Sequence, residues 1–311
     1  MRFRYVSTSR VFIDYKACVS VAEKFRELTI RRENYFNEKY FPPTNEPREL
    51  VLGYFTAIVA IDHRTSTPVS EYRATISGVV YKGSDLLHYL GSREYLRNPE
   101  YFSAENLSKL SLSEFNRVFS YGSVSLWDAG VRVLLLRDLG RKVLNTYGDF
   151  TSLFNVTSIS EFKDRLKVFR AYEDPVEKKI FLLAKFLKGR SLLSFTDPEN
   201  YQVPVDNHLT RIALRLGIVR LTDYSFILKE IEVSPETDIE IRMKIRDAWK
   251  TISEISHKDP FLLDDFLWRF GRTICVKKKP SCKECVLKNA CRAYELGTHI
   301  PEHTFTLTWY Y

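Results

Sequence analysis

The stretch Phe270–Cys291, FGRTICVKKKPSCKECVLKNAC, holds four of the chain's five cysteines within seventeen residues. They follow the spacing C-x6-C-x2-C-x5-C, at Cys275, Cys282, Cys285 and Cys291. Four thiolates joined by such short loops can reach one metal centre, which is either tetrahedral zinc or an iron–sulfur cluster. Zinc sites usually show two C-x2-4-C pairs separated by a longer arm. The single C-x2-C pair with unequal flanking gaps favours a 4Fe–4S cluster, although the residue types alone leave zinc open.

The composition is that of a globular protein with a basic surplus. The 311 residues are 44% hydrophobic, enough for one large or two modest domains. The net charge of +8 is compatible with a polyanionic partner. Clustered cysteines argue against a disulfide scaffold and for a reducing cytoplasm, and Cys18 is predicted to be a small buried hydrophobe. No apolar run reaches membrane-spanning length, the first residues do not read as a secretory signal, and the single glutamine is typical of a heat-adapted source.

The apolar residues mostly recur at intervals of three and four, and glycine and proline number only 12 each, so the chain is predicted to be all-α. Helices are predicted over Arg10–Phe36, Glu49–Ile61, Ser84–Leu90, Ser103–Leu110, Ser111–Phe119, Leu126–Tyr147, Ser158–Tyr172, Val176–Leu187, Val203–Gly217, Pro235–Ile255 and Pro260–Phe270. Residues 2–6 could form a short strand or an arm, and the tail 304–311 could pair as an edge strand. The polar triplet at 62–64 is explained by helix-end capping as well as by a site.

The cysteine stretch resembles the 4Fe–4S loop of the endonuclease III family of DNA glycosylases. It does so in the cysteine spacing, in the Gly271-Arg272 pair before the first cysteine and in Pro280 before the second. The resemblance implies a cluster that is structural and takes no part in hydrolysis. It also implies a basic loop that touches DNA phosphates. That loop would contain Lys277, Lys278 and Lys279, although a lysine run is equally typical of a solvated face.

The segment Val203–Gly217, VPVDNHLTRIALRLG, is similar to the part of that superfamily that presents the catalytic aspartate at the start of a helix. Asp206 falls on that aspartate. His208 and Arg211 also fit, and each could contact phosphate or pack locally. A carboxylate at a helix N-terminus lies in a positive field, and facing a sugar it can stabilise positive charge at C1′ or activate water as a base leaves. The alternative is that Asp206 is a plain N-cap.

The family's helix-hairpin-helix turn is glycine-rich, whereas the corresponding segment here, Tyr172–Val176, has no glycine. Pro175 lacks an amide hydrogen, and Glu173 and Asp174 add negative charge where a phosphate would lie. Binding of duplex DNA through this turn is therefore not expected. Asp174 is predicted to be the N-cap of the next helix, with Pro175 as its first residue.

Two lysines follow this turn. Lys178 lies near the lysine that bifunctional family members use to form a Schiff base with the sugar, and it is predicted to be catalytic. Lys179 is adjacent, with the alignment open by one residue, and is predicted to bind nucleic acid. A buried lysine with a lowered pKa can act as a nucleophile. The alternative is that both are surface charges of an amphipathic helix.

A looser likeness leads to a second function. The stretch Leu110–Leu187 is similar in layout to the queuosine-salvage nucleoside hydrolases, which share the helical fold, cut an N-glycosidic bond in a free nucleotide and have no cluster loop. The leading prediction is an N-glycosylase that hydrolyses the C1′–N bond of a damaged or modified base flipped out of nucleic acid. The alternatives are an N-ribosidase of a free modified nucleoside or nucleotide, and a non-catalytic nucleic-acid-binding iron–sulfur protein.

The predicted architecture is a two-lobed, helix-hairpin-helix glycosylase-like fold. Residues 1–110 form an N-terminal helical region, 111–200 a lobe with the degenerate hairpin, and 201–311 the catalytic-aspartate helix and the cluster. The active cleft is expected between the lobes, with Asp206 at its mouth. The expected partner is nucleic acid, DNA in preference to RNA, or a modified nucleoside. The protein is expected to be a cytoplasmic monomer without membrane contact.

Overall fold

The structure is a computed structural model that describes residues 9–67 and 69–311. It is predominantly helical, which confirms the predicted class, with two two-stranded antiparallel sheets in the described ranges. The helices are α1 Tyr15–Glu27, α2 Arg48–Ala60, α3 Ser84–Arg97, α4 Ala104–Lys109, α5 Leu112–Phe119, α6 Ala129–Thr146, α7 Phe150–Leu153, α8 Ile159–Leu166, α9 Lys178–Gly189, α10 Asn207–Leu216, α11 Ser225–Leu228, α12 Pro235–Ser256, α13 Pro260–Thr273 and α14 Arg292–Glu295. The strands are β1 Val11–Ile13, β2 Arg73–Ile76, β3 Val79–Lys82 and β4 Val219–Leu221.

The chain divides into two compact units. The first combines the chain up to Glu33 with Tyr201–Leu307, and the second combines Asn34–Asn200 with Thr308–Tyr311. The predicted divisions after residues 110 and 200 remain predictions. None of the described helices is both long enough and apolar enough to cross a bilayer.

The first unit contains the aspartate helix and the cysteine loop. β1 pairs antiparallel with β4, with Phe12 opposite Arg220, and so joins the start of the chain to the segment that follows α10. Helix α1 packs on α12, where Phe25 meets Trp249 edge-on at 6.1 Å between ring centroids. Helix α10 packs on α13, and Gly217 ends it with φ +80°, a left-handed conformation that glycine adopts without strain.

The second unit is organised around α2, which is buried at every position from Val51 to Ala60. A helix that is apolar on all sides must be surrounded, and α2 packs against α3, α6, α7 and α9. Helices α4 and α6 approach closely at Gly140, where a Cβ would lie 2.5 Å from the carbonyl oxygen of Ala104. Helix α9 therefore packs on a fully covered helix.

Two of the predicted helices are shorter in the structure. The helix predicted over Arg10–Phe36 is strand β1 followed by the shorter α1, which begins after Asp14 because that side chain accepts a hydrogen bond from the Ala17 amide at 3.1 Å. The predicted helix Ser158–Tyr172 is α8 followed by a short 3-10 turn. The β2–β3 hairpin was not predicted.

Helix α9 and the tail also differ from the prediction. Helix α9 begins at Lys178 and not at Pro175, because Glu177 takes a left-handed φ of +64° and interrupts any earlier start. In the tail, Thr304 forms one parallel bridge with Glu232, and the described residues after it form no strand. The arm predicted at residues 2–6 lies outside the described residues.

Candidate active site and cysteine centre

Asp206 is the N-cap of α10. Its Oδ1 accepts hydrogen bonds from the amides of His208 at 2.8 Å and Leu209 at 2.9 Å. The side chain is partly exposed, and no hydrogen-bond partner for Oδ2 is found in the described part of the chain. One oxygen therefore serves the cap, while the other stays open to a substrate, and the field of the helix N-terminus stabilises the negative charge.

The two polar side chains that follow Asp206 on α10 face inward. Arg211 is buried and donates to the carbonyl oxygens of Gly271 and Cys275, at 2.8 and 2.9 Å, and to Glu302 at 2.8 Å. It also donates to Nδ1 of His208 at 2.9 Å, and burial lowers the pKa of His208 below its usual value against the opposing charge of Asp206. A neutral histidine that accepts from a buried arginine favours local packing over phosphate contact for both residues.

Arg215 holds the first arm of the cysteine loop against α10. Its guanidinium donates to the carbonyl oxygens of Val276 at 2.8 Å, Lys277 at 2.9 Å and Ile300 at 2.7 Å. One N–H also lies 3.4 Å from Sγ of Cys275. The helix that carries Asp206 is therefore tied through buried arginines to the loop that carries the cysteines, within the same unit.

One cavity is lined by all four predicted metal ligands, with Arg215, Phe270 and His299 among its other lining residues. The four ligands are Cys275, Cys282, Cys285 and Cys291. Burial raises the pKa of the Cys285 thiol to about 11. Nε2 of His299 lies 3.1 Å from Sγ of Cys282. In the ranges the structure describes, no three His, Cys, Asp or Glu side chains are grouped as a single-ion site. Cys18 is fully buried in α1, as predicted.

The basic loop between the first two cysteines lies on the surface. Lys277, Lys278 and Lys279 are all exposed. Lys277 lies 3.2 Å from a carboxylate oxygen of Glu230, an exposed pair of little energetic weight. The nucleic-acid contact of these three lysines stays a prediction.

The degenerate hairpin turn in the second unit is closed by its own carboxylate. Asp174 accepts from the amides of Val176 at 3.0 Å and Lys178 at 3.1 Å. The Glu177 carboxylate in turn lies 3.2 Å from Lys163 and 2.6 Å from Lys167. Amides that a glycine-rich turn would offer to a phosphate are engaged internally, which agrees with the sequence-based expectation for this turn.

The lysines after the turn are buried, so the alternative of two surface charges is wrong. Lys178 donates to the carbonyl oxygen of Asp62 at 3.0 Å. Lys179 has no exposed surface and donates to the carbonyl oxygen of Ala60 at 2.5 Å. Burial, together with the charges of Lys178 and Arg132, lowers the pKa of Lys179 well below its usual range. This burial does not fit the phosphate-binding role predicted for Lys179.

Lys179 belongs to a polar cluster that was not predicted from the sequence. His63 has Nδ1 3.3 Å from Nζ of Lys179 and Nε2 2.8 Å from Oδ2 of Asp128. Arg132 donates to Oδ1 of Asp128 at 2.7 Å and to the carbonyl oxygens of Ile61, His63 and Arg64. All four side chains of this Lys179 cluster, namely Lys179, His63, Asp128 and Arg132, are buried. The signals available beforehand were the i, i+4 spacing of Asp128 and Arg132 and the polar triplet at 62–64.

The first unit thus contains an aspartate-capped helix and a four-cysteine loop, and the second contains a buried lysine after a tight turn. Residues 179–299 match the family model described as AGOG: N-glycosylase/DNA lyase. An endonuclease III homolog of Encephalitozoon cuniculi is 36% identical over 89 residues, 29% of each chain. An adenine DNA glycosylase of Arabidopsis thaliana is 31% identical over 102 residues, 32% of this chain and 13% of its own.

Residues 179–299 are therefore similar to the N-glycosylase/DNA lyase family, which supports the resemblance found in the sequence. The matched segment contains Lys179, Asp206 and the four cysteines. The chain spans less than a third of the length of these curated relatives. The solved structure of a thermostable thymine-DNA glycosylase aligns with 91% of this chain and 98% of its own, at 16% identity and a TM-score of 0.49.

Proposed function

We propose that the protein is an N-glycosylase that removes a damaged or modified base from DNA by cleaving the C1′–N bond, with a lyase step that proceeds through a lysine adduct. The observation that carries the proposal is the buried amine of Lys179, whose pKa lies well below its usual range. It is the first residue of the segment that matches the N-glycosylase/DNA lyase family. A neutral amine is a nucleophile at neutral pH, whereas an ammonium is not.

In the proposed reaction, the nitrogen of Lys179 forms a bond to C1′ as the bond from C1′ to the base nitrogen breaks. The electron pair of the broken bond leaves with the base, which takes a proton from water. The carboxylate of Asp206 stabilises the positive charge that builds at C1′. Loss of the amine proton and opening of the sugar ring then give a Schiff base, the species that permits cleavage of the strand.

Reductive trapping tests the choice of lysine. Borohydride added during turnover should fix Lys179 covalently to DNA that contains a substrate base. Lys179→Met should abolish the adduct, and the matched Lys178→Met, one residue away on the same helix, should retain it. An adduct that survives Lys179→Met and disappears with Lys178→Met would restore the assignment made from the sequence. Release of base by the wild type without any trapped adduct would leave a hydrolytic glycosylase that uses Asp206 alone.

We also propose that Cys275, Cys282, Cys285 and Cys291 hold a 4Fe–4S cluster. The support is that all four line a single cavity beside Arg215, whose N–H points at one sulfur. When bound, the cluster would pin the loop that carries the three exposed lysines, and such clusters are stabilised by hydrogen bonds to sulfur. Purified protein should contain about four iron atoms and about four sulfides per chain. Stoichiometric zinc without iron would refute this assignment.

The exposed loop at 277–279 is the proposed phosphate contact. Each phosphate contact that is lost should reduce the slope of log affinity against log salt by about 0.9. Lys278→Ala should therefore flatten the salt dependence of DNA binding by about that amount. Lys188→Ala, on α9 in the other unit, serves as a control for a general loss of positive charge. Equal slopes for wild type and Lys278→Ala would remove this loop from the interface.

A second candidate, an N-ribosidase of a free modified nucleoside, is favoured by one observation. Asp174 occupies the turn amides with which a glycosylase of this class would hold the DNA backbone. A gel-shift titration separates the two candidates, because a polymer substrate requires binding that weakens steeply with salt. No binding of DNA or RNA at low salt, with release of base from a nucleoside, would support the ribosidase. Binding with no base release, unchanged by Asp206→Asn, would instead indicate a non-catalytic binding protein.

A further inference from the structure

We infer that His63, oriented by Asp128, accepts the proton that the nitrogen of Lys179 sheds when it attacks the sugar. This inference rests on the proposed function and adds a positioning and proton-accepting pair to it. Neither residue lies in the segment from 179 to 299 that matches the glycosylase family model. The pair comes from two other parts of the second unit, the end of α2 and the start of α6.

The hydrogen bonds fix which nitrogen of His63 carries the proton. The carboxylate of Asp128 can only accept, and its Oδ2 lies 2.8 Å from Nε2 of His63, so the hydrogen is on Nε2. Nδ1 then carries a lone pair, which lies 3.3 Å from Nζ of Lys179. A second hydrogen of the Lys179 amine is donated to the carbonyl oxygen of Ala60 at 2.5 Å. The amine is thus held between two acceptors.

Asp128 is itself fixed by a buried arginine. Arg132 donates to the other carboxylate oxygen at 2.7 Å, and its remaining N–H groups bind the carbonyls at the end of α2. A buried carboxylate that is paired with an arginine keeps its charge and cannot rotate away from the imidazole. This arrangement gives His63 a stable orientation, in the manner of a base held by a third group.

The charges that face the cluster come from every element around it. The positive charges are Lys178 and Lys179 on α9 and Arg132 on α6. The negative charges are Asp62 after α2, Asp128 at the start of α6 and Asp174 in the turn before α9. Tyr72, just before β2, is a further titratable group. The pKa of His63 is lowered well below its usual value, first by burial and then by the positive charges of Arg132, Lys179 and Lys178. His63 is therefore neutral at rest. Because the same effects weaken it as a base, its acceptance of a proton depends on the ion pair that the imidazolium would form with Asp128, whose Oδ2 lies 2.8 Å from Nε2.

The proton transfer balances with the proposed reaction. The nitrogen of Lys179 bonds to C1′, the bond from C1′ to the base nitrogen breaks, and the base leaves with the electron pair. The proton that the newly cationic nitrogen of Lys179 loses moves to Nδ1 of His63, and the resulting imidazolium is stabilised by Asp128. The base takes its proton from water, and the hydroxide so formed receives the proton that His63 later returns. No oxidant or reductant is required.

The decisive variant is His63→Gln. The glutamine amide can reproduce the donor that Nε2 offers to Asp128 but supplies nothing in place of Nδ1. His88→Gln is the matched control, because His88 is another buried histidine of the same unit whose ring packs on Phe41 and Phe186. The measurement is the single-turnover rate at which the borohydride-trapped adduct forms, followed from about pH 6 to about pH 9, a range that spans the ordinary histidine pKa and approaches that of lysine. Thermal melting checks that the compared proteins have the same folded fraction.

His63→Gln should slow adduct formation roughly 100-fold or more near pH 7 and give a rate that rises with pH as hydroxide takes over the role. His88→Gln should keep the wild-type rate and profile. A purely structural role for His63 would reduce the amount of adduct without changing the shape of the profile. If His63→Gln traps at the wild-type rate with the wild-type profile, the inference is overturned. If the wild type forms no adduct at all, the failure belongs to the proposed function.

Asp128→Asn provides a second route if His63→Gln does not fold. An asparagine amide donates to Nε2 and forces the hydrogen onto Nδ1, so the same loss of rate is expected. The unmodified protein offers a third: 15N NMR of the histidine-labelled full chain should show one buried neutral histidine with hydrogen on Nε2 and a bare Nδ1. The opposite tautomer at His63 would overturn the inference without any substitution.

Discussion

Replacing Lys179 by methionine should make the folded state more tolerant of falling pH. The substitution keeps an unbranched side chain of similar length in a site with no exposed surface. It removes an amine whose pKa is lowered well below its usual range by burial. It also leaves the carbonyl oxygen of Ala60 without the donor it has in the wild type.

The magnitude follows from proton linkage. Below the ordinary lysine pKa of about 10.4, the unfolded chain binds a proton at Lys179 that the folded chain does not. Wild-type stability therefore falls as pH falls through this window, by roughly 1 to 2 kcal/mol per pH unit, and levels off only below the depressed folded pKa. The methionine variant does not lose stability in this way, because it has no amine that takes up a proton on unfolding. At high pH, loss of the bond to Ala60 should leave it less stable than wild type by about 1–3 kcal/mol.

Denaturant unfolding at several pH values between about 8 and 9.5 measures the difference, because the other titrating groups are common to both proteins and cancel. The stability of the variant relative to wild type should improve steadily as pH is lowered. Lys178→Met gives the baseline for removing a lysine from the same turn of α9. Parallel stability curves for wild type and Lys179→Met would show that Lys179 is protonated in the folded protein. Lys179 would then not be a nucleophile at neutral pH.

Four further outcomes are expected. Asp206→Asn should slow base release at least about 100-fold, measured by single-turnover kinetics, while melting changes little because asparagine caps a helix as well as aspartate does. Gly140→Ala should cost about 1–3 kcal/mol in denaturant unfolding, because its Cβ would lie 2.5 Å from the Ala104 carbonyl oxygen. Gly130→Ala, in the same helix with nothing within 4 Å, should instead stabilise by about 0.5–1 kcal/mol. Arg215→Met should lower the iron content of purified protein without loss of helical circular dichroism, and full retention of iron would show that its bonds to the cysteine loop are dispensable.

The features that could be predicted from the sequence are those that depend on neighbours along the chain. A helix cap needs a side chain within three residues of the amides it binds, so Asp206 could be placed at the start of α10 and Gly217 at its end. The cysteine loop is equally local, because all four ligands lie within one short stretch. The first helix was predicted too long because apolar spacing alone does not show that residues 11–13 pair with a strand some two hundred residues away.

The choice between Lys178 and Lys179 could not be made in the same way. Both are lysines on the same turn, and their difference arises from what surrounds each nitrogen. The contacts that bury Lys179 come from Ala60 and His63, which lie 119 and 116 residues earlier. Asp128, which orients His63, is 65 residues from it.

The sequence by itself therefore determined the helical class, the cysteine centre and the helix that presents Asp206. Only the tertiary structure showed that the Lys179 side chain is fully buried, with its amine against the Ala60 carbonyl and His63. The physical reason is that a cap or a metal loop is set by hydrogen bonds and geometry within a few residues. The charge state of a buried amine, by contrast, depends on desolvation and on charges that folding brings together from distant parts of the chain.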